Sequence, residues 1–137
     1  MGLTIKELSI GQKAQFAKTV TETDVYMFAG ITGDMNPVHI NKVYAEGTMF
    51  KERIAHGMLS AGFISNVIGT QLPGTGSIYL GQNLKFKSPV HIGDTVTTTV
   101  EVVAIDEEKN KVTLRTTCEN QEGKLLVDGE ALIMPPK

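Results

Sequence analysis

Apolar and polar positions alternate through the last third of the chain. Val96, Val100, Val102 and Ala104 share one parity, as do Val112, Leu114 and Cys118 opposite Lys111, Thr113, Arg115 and Glu119. A period of two sends one face of each run to a core and the other to water, so each predicts a half-buried strand. Polar turns at Asp106 to Asn110 and at Gln121 to Gly123 join these runs into an antiparallel meander. Ile78, Leu80, Leu84 and Phe86 also share one parity and predict a further half-buried strand upstream. From Gly57 to about Gln71 the pattern changes. Met58, Leu59, Ala61, Phe63, Ile64, Val67 and Ile68 make this stretch apolar over most of a helical circumference, as in a central helix wrapped by other elements. Near the start, Gln12 to Val20 predicts a strand, and Thr23 offers an N-cap for a helix ending around Gly30. Residues 31 to 55 carry Gly33, Pro37 and Gly47 amid mixed polarity and predict a long loop with short helical turns.

One strand, a helical segment, a long buried helix and four more strands describe an α+β layering. The expected architecture is a five-stranded antiparallel sheet wrapped around a long central helix, the hot-dog fold. The 137 residues suit a single domain spanning 1–137, and neither a repeat nor a linker divides them. An open sheet leaves unpaired edges, which a second copy of the chain would cover, so at least a homodimer is expected.

Composition narrows the function. The chain is 41% hydrophobic and 20% charged without an apolar run of transmembrane length, so no membrane association is expected. A net charge of −2, its signs interspersed, lacks the basic stripe that would bind nucleic acid. Polar Thr4, Lys6 and Glu7 follow Met1 where a secretory signal would be apolar, and Cys118 is the only cysteine; both fit the cytoplasm. Cys118 has core parity and no evident base, which predicts a buried, inert thiol.

Two features carry chemistry. In Gly33-Asp34-Met35-Asn36-Pro37-Val38-His39, Pro37 fixes its own φ and drives Asn36 toward extended backbone, so a stiff bend can aim Asp34 and His39 at one point. Such a pair suits addition of water to an unsaturated carbonyl compound, one group taking a proton from water while another protonates the neighbouring carbon. The alternative is a turn in which the Asp caps local N–H groups and the His is solvated. The second feature is His56-Gly57 at the start of the apolar helix, where free N–H groups and the positive end of the helix dipole face outward. A thioester oxygen gaining negative charge fits there, and Gly57 lets a substrate approach the backbone closely; a simple helix start is the alternative. His39, His56 and His91 form no zinc-ligand spacing, so no metal is expected. Lys85 and Lys87 are read as solvated, with coenzyme A phosphates as the other possible contact.

Asp34-Met35-Asn36-Pro37-Val38-His39 followed by Ile54-Ala55-His56-Gly57-Met58 resembles the MaoC-like family of (R)-specific enoyl-CoA hydratases, and the likeness extends through Tyr79-Leu80-Gly81-Gln82 over nearly the whole chain. The resemblance implies that Asp34 and His39 activate water and protonate the substrate, and that Gly57 donates its N–H to the thioester carbonyl. It also implies an active-site serine further along the helix, matched by Ser65. Asn36, His56 and Gly57 are the candidate substrate-binding residues. The implied reaction is reversible hydration of trans-2-enoyl-CoA to (R)-3-hydroxyacyl-CoA, with an acyl-CoA thioester as partner and no cofactor. A thioesterase and a non-catalytic acyl-thioester-binding module share the fold. The first would often place a carboxylate on the central helix, yet Ser60, Ser65, Asn66 and Thr70 are the polar members of that helix here.

Overall fold

Thr21 starts the first helix. Its hydroxyl accepts from the Asp24 N–H while the Asp24 carboxylate accepts from the Thr21 N–H, a reciprocal cap that places the helix start two residues before the Thr23 expected from sequence. The computed structural model describes residues 1–137. A short 3-10 turn at Ile5–Glu7 leads to strand β1 (Lys13–Thr19) and helix α1 (Glu22–Thr32). Two short helices follow in the long connection, α2 (Pro37–Ile40) and α3 (Lys42–Glu46), then the long helix α4 (Gly57–Thr70). Strands β2 (Ile78–Phe86), β3 (Thr95–Asp106), β4 (Lys111–Glu119) and β5 (Leu125–Met134) complete the chain.

The strands form one antiparallel sheet in the order β1-β3-β4-β5-β2, the hot-dog arrangement expected from the pattern. The consecutive hairpins β3-β4 and β4-β5 are the meander, and β1 and β2 are left as edges. The alternation holds where the sheet packs on the helix. Val96, Val100, Val102, Val112, Leu114 and Cys118 are buried with Phe63, Ile64, Val67 and Ile68 of α4 in one cluster. Burial pushes the Cys118 thiol pKa up, as suits a packed, unreactive side chain. A register shift between Val102 and Ala104 breaks the pattern of β3 and leaves Ala104 exposed.

Two expectations need correction. The sheet wraps α4 as expected, but the helix is not buried over most of its circumference in the single chain. Gly62, Ser65, Asn66, Gly69 and Thr70 face outward, and Met58 is 57% exposed. Strand β2 is not half-buried in the single chain. A bulge between Tyr79 and Gly81 leaves Leu80 without a partner on β5 and resets the parity, so Ile78 and Leu80 stay exposed while Leu84 reaches the core; Phe86 shares the face of Leu84 yet is 54% exposed.

Candidate functional site

Gly33 ends α1 in the left-handed conformation at φ 79°, open to glycine at no steric cost, and turns the chain toward Asp34. Local bonds then fix the bend. The Asp34 N–H donates to Thr32 Oγ1 (3.1 Å), and the Asn36 N–H donates to Asp34 Oδ1 (3.2 Å). Asn36 caps α2, its side-chain oxygen accepting from the Val38 N–H at 3.3 Å, and Pro37 takes the first helical position. One turn on, His39 enters the interior while Asp34 remains exposed.

The next segment comes back to meet this bend. The Ile54 N–H donates to the Val38 carbonyl and the Ala55 N–H to the Val90 carbonyl, which pins residues 54–55 between α2 and the start of the β3 approach. The Ile54 carbonyl lies 2.7 Å from His39 Nδ1. A carbonyl only accepts, so Nδ1 carries the proton, and in the neutral ring Nε2 is left as a bare acceptor. Burial, helped by the neighbouring His56, outweighs the Ile54 bond and Asp34 and lowers the His39 pKa below its ordinary value, which favours that neutral ring.

His56 is buried beneath His39. The two rings stack with centroids 3.9 Å apart and 28° between their planes, and Phe28 of α1 packs on His56 at 4.7 Å. His56 Nε2 lies 3.0 Å from the Asp34 carbonyl and therefore donates to it. The ligating atoms of Asp34, His39 and His56 all fall within 4.8 Å of one another. For a shared ion the stack is a poor frame, because lone pairs in two nearly parallel ring planes run side by side instead of converging. For one water it is well sized: two groups each about 2.8 Å from a water oxygen at a tetrahedral angle stand about 4.6 Å apart.

His39 and Gly57 line the same cavity, of about 550 Å³, whose walls are mainly apolar: Met49, Phe50, Ile54, Ala55, Met58, Pro89, Val90 and Val127. Gly57 is the first residue of α4, so its N–H has no partner within the helix. A Cβ on Gly57 would stand 2.8 Å from the Phe86 ring, so Phe86 of β2 closes against the helix start. The cavity therefore combines an apolar groove, a proton acceptor and a free backbone donor, the set that acyl-thioester chemistry requires.

A model of the MaoC like domain matches residues 6–123. The chain belongs to the MaoC-like family. Among relatives of this MaoC-like chain, the (R)-specific enoyl-CoA hydratase of Rhodospirillum rubrum is 57% identical over 131 residues, covering 96% of this chain and 90% of that protein. The (R)-specific enoyl-CoA hydratase of Aeromonas caviae is 46% identical, covering 98% and 100%. An unliganded R-hydratase structure from Pseudomonas aeruginosa superposes with a TM-score of 0.94 at 49% identity, covering 99% of this chain and 87% of that one.

Of the residues singled out in the MaoC-like sequence, the structure gathers Asp34, His39 and His56 in one cluster and sets Gly57 beside it in the cavity. Asn36 lies in the bend as a cap. Ser65 lies about two turns along α4 from Gly57. It lines a second, smaller depression with Met58, Ala61, Tyr79, Gln82, Leu84 and Phe86, and Met58 and Phe86 are shared by both. Lys87 lines the cavity that holds His39, whereas Lys85 lies on a separate depression. Sequence reasoning missed Ile54, whose carbonyl fixes the His39 tautomer, and Phe86, which closes on Gly57. A backbone acceptor has no signature in residue type, and Phe86 had been assigned to a strand's buried face.

Proposed function

We propose that this chain catalyses the (R)-specific, reversible hydration of trans-2-enoyl-CoA to (R)-3-hydroxyacyl-CoA. The observation that carries the reading is the meeting, at one cavity, of His39, whose Nδ1 is tied to the Ile54 carbonyl, and the free N–H of Gly57, with the Asp34 carboxylate close beside His39. The hydratase activity of the relatives from Rhodospirillum rubrum and Aeromonas caviae supports it, and the (R) product rests on them.

In the proposed reaction, the thioester carbonyl accepts from the Gly57 N–H and one water hydrogen-bonds to both Asp34 and His39. An O–H bond of the water breaks as its oxygen bonds to C3. The C2=C3 electron pair moves toward the carbonyl oxygen, whose growing charge the Gly57 N–H stabilises. Asp34 and His39 are both acceptors toward that water. The bare Nε2 makes His39 the group that can take the proton as imidazolium and return it to C2, with Asp34 orienting the water and stabilising the cation; the exchanged roles are the variant of this scheme. The proton lost by water ends on C2, and no electron leaves the system, so no redox cofactor is required. Asn36 shapes the bend, and Ser65 borders the route along α4.

We further propose that residues 1–137 act as one hot-dog unit, paired at least as a homodimer through the apolar β2 edge and the open side of α4, in the cytoplasm. The exposed Ile78, Leu80, Phe86 and Met58 support the pairing. No helix is long and apolar enough to cross a membrane.

The test is loss of the enoyl-thioester absorbance when the protein is mixed with crotonyl-CoA, with Asp34→Asn as control and chiral analysis of the product. Rapid loss in wild type alone, giving the (R)-alcohol, is expected. Loss of that absorbance with release of free coenzyme A thiol and no 3-hydroxyacyl product would replace the reading with a thioesterase.

A further inference from the structure

We infer that His56 is a positioning residue that fixes the Asp34–His39 pair relative to the Gly57 N–H, and that it does so without touching substrate. The inference deepens the hydratase reading and rests on it. The ring of His56 is 2% exposed and lies between Phe28 of α1 and His39 of α2, with its backbone forming the N-cap of α4. One residue thus joins the three elements that carry the chemistry.

Its polar contacts point the same way. Nε2–H donates to the Asp34 carbonyl and so holds the backbone from which the Asp34 carboxylate projects. Nδ1 is buried and has no hydrogen-bond partner. A core residue chosen for packing alone would not need an imidazole here, since an apolar ring would fill the same space and leave no buried acceptor unsatisfied. What an apolar ring cannot supply is the donor to Asp34.

The geometry has a catalytic consequence. The peptide that follows His56 carries the Gly57 N–H, so the ring and the next N–H tie the attacking water and the polarised carbonyl to one rigid unit. Displacement of reacting groups by about 1 Å costs on the order of a hundredfold in rate.

Two variants separate the roles. His56→Gln keeps a donor at the position of Nε2 without the ring, and His56→Phe keeps the stacked ring without the donor. Both are assayed for kcat and KM on crotonyl-CoA, with thermal unfolding to establish that each is folded. The expected result is a kcat within about tenfold of wild type for His56→Gln and a loss of about a hundredfold for His56→Phe, with KM in both within about threefold, as for an interaction that acts in the transition state. A folded His56→Phe protein with wild-type kcat, a loss expressed in KM, or a His56→Gln protein no better than His56→Phe would each overturn the inference. A wild-type protein that hydrates no enoyl thioester would remove the hydratase reading and this inference together.

Discussion

At the scale of single residues, His39 has the strongest consequence because its protonation state is set by its surroundings. Burial lowers its pKa below the ordinary value of 6.5, so the ring stays neutral further into the acid range than a solvated histidine would. The acid limb of kcat/KM is therefore expected below 6.5, and an acid limb above that value would remove His39 as the group that must be neutral. The same shift predicts a stability effect. Between the lowered folded value and the ordinary unfolded one, the unfolded chain binds more protons, so this contribution is complete above the unfolded value and is lost as pH falls through the folded one. In urea unfolding at pH 7.5 and pH 5, wild type should lose more stability than His39→Asn, which lacks the imidazole; equal losses would place the acid sensitivity elsewhere. Asp34→Asn and His39→Ala should each lower turnover by on the order of a hundredfold or more. The first is expected to leave thermal unfolding nearly unchanged because Asp34 is exposed, and near-normal turnover in both folded variants would remove the pair. Asp34, His39 and Gly57 were legible in the sequence as candidates, because Asn-Pro restricts the bend, His-Gly marks a helix start, and the two motifs together resemble the MaoC-like family. The place of His56 was not, because its meaning lies in a stack on a residue 17 positions away and in a bond to a backbone carbonyl.

At the scale of elements, the contact between the start of α4 and the end of β2 is the one that joins fold to site. Gly57 and Phe86 are packed so closely that a Cβ would stand 2.8 Å from the ring. Gly57→Ala should therefore fold, since Phe86 is an exposed side chain that can give way, yet move the helix start or the ring within the cavity. The expected loss in kcat/KM is on the order of a hundredfold, with part of it recovered in Gly57→Ala combined with Phe86→Leu. An alanine variant with wild-type kcat/KM would show that the close approach has no bearing on the oxyanion donor. The elements themselves were readable wherever one face meets the core: β4, β3 as far as Val102 and the inner face of α4 follow their periodicities because burial enforces them. Strand β2 misled because the bulge at Leu80 resets parity, and a bulge is decided by pairing with β5, a partner more than forty residues away. The helix α1 start differs for a smaller reason. Thr21 and Thr23 are both capable caps, and the reciprocal bonds with Asp24 select Thr21.

At the scale of the whole molecule, the surface that the single chain leaves open argues for a second copy. Strand β2 is bonded only to β5, so one side of its backbone is an unpaired edge. Along it Ile78 is 54% exposed and Leu80 43%, and Met58 of α4 is 57% exposed. An apolar edge strand of this kind invites pairing with another chain, and a two-fold arrangement would use the same patch twice and close on itself without leaving a new edge. Ser65 lies on this side, in a depression shared with Tyr79, Leu84 and Phe86, so the same pairing would roof the route that leads along α4 toward Gly57. Leu80 is the sharpest probe, because the bulge frees it from the β5 register and a lysine there would cost the single chain little. Wild type should sediment as a dimer or a multiple of it, with thermal unfolding that depends on concentration, and Leu80→Lys should shift the protein toward monomer and weaken that dependence. If the paired copy completes the cavity, the specific activity of Leu80→Lys should fall on dilution and recover at high concentration. A Leu80→Lys protein that remains dimeric would move the interface away from the β2 edge, and a monomer with full activity at every concentration would make the cavity self-sufficient.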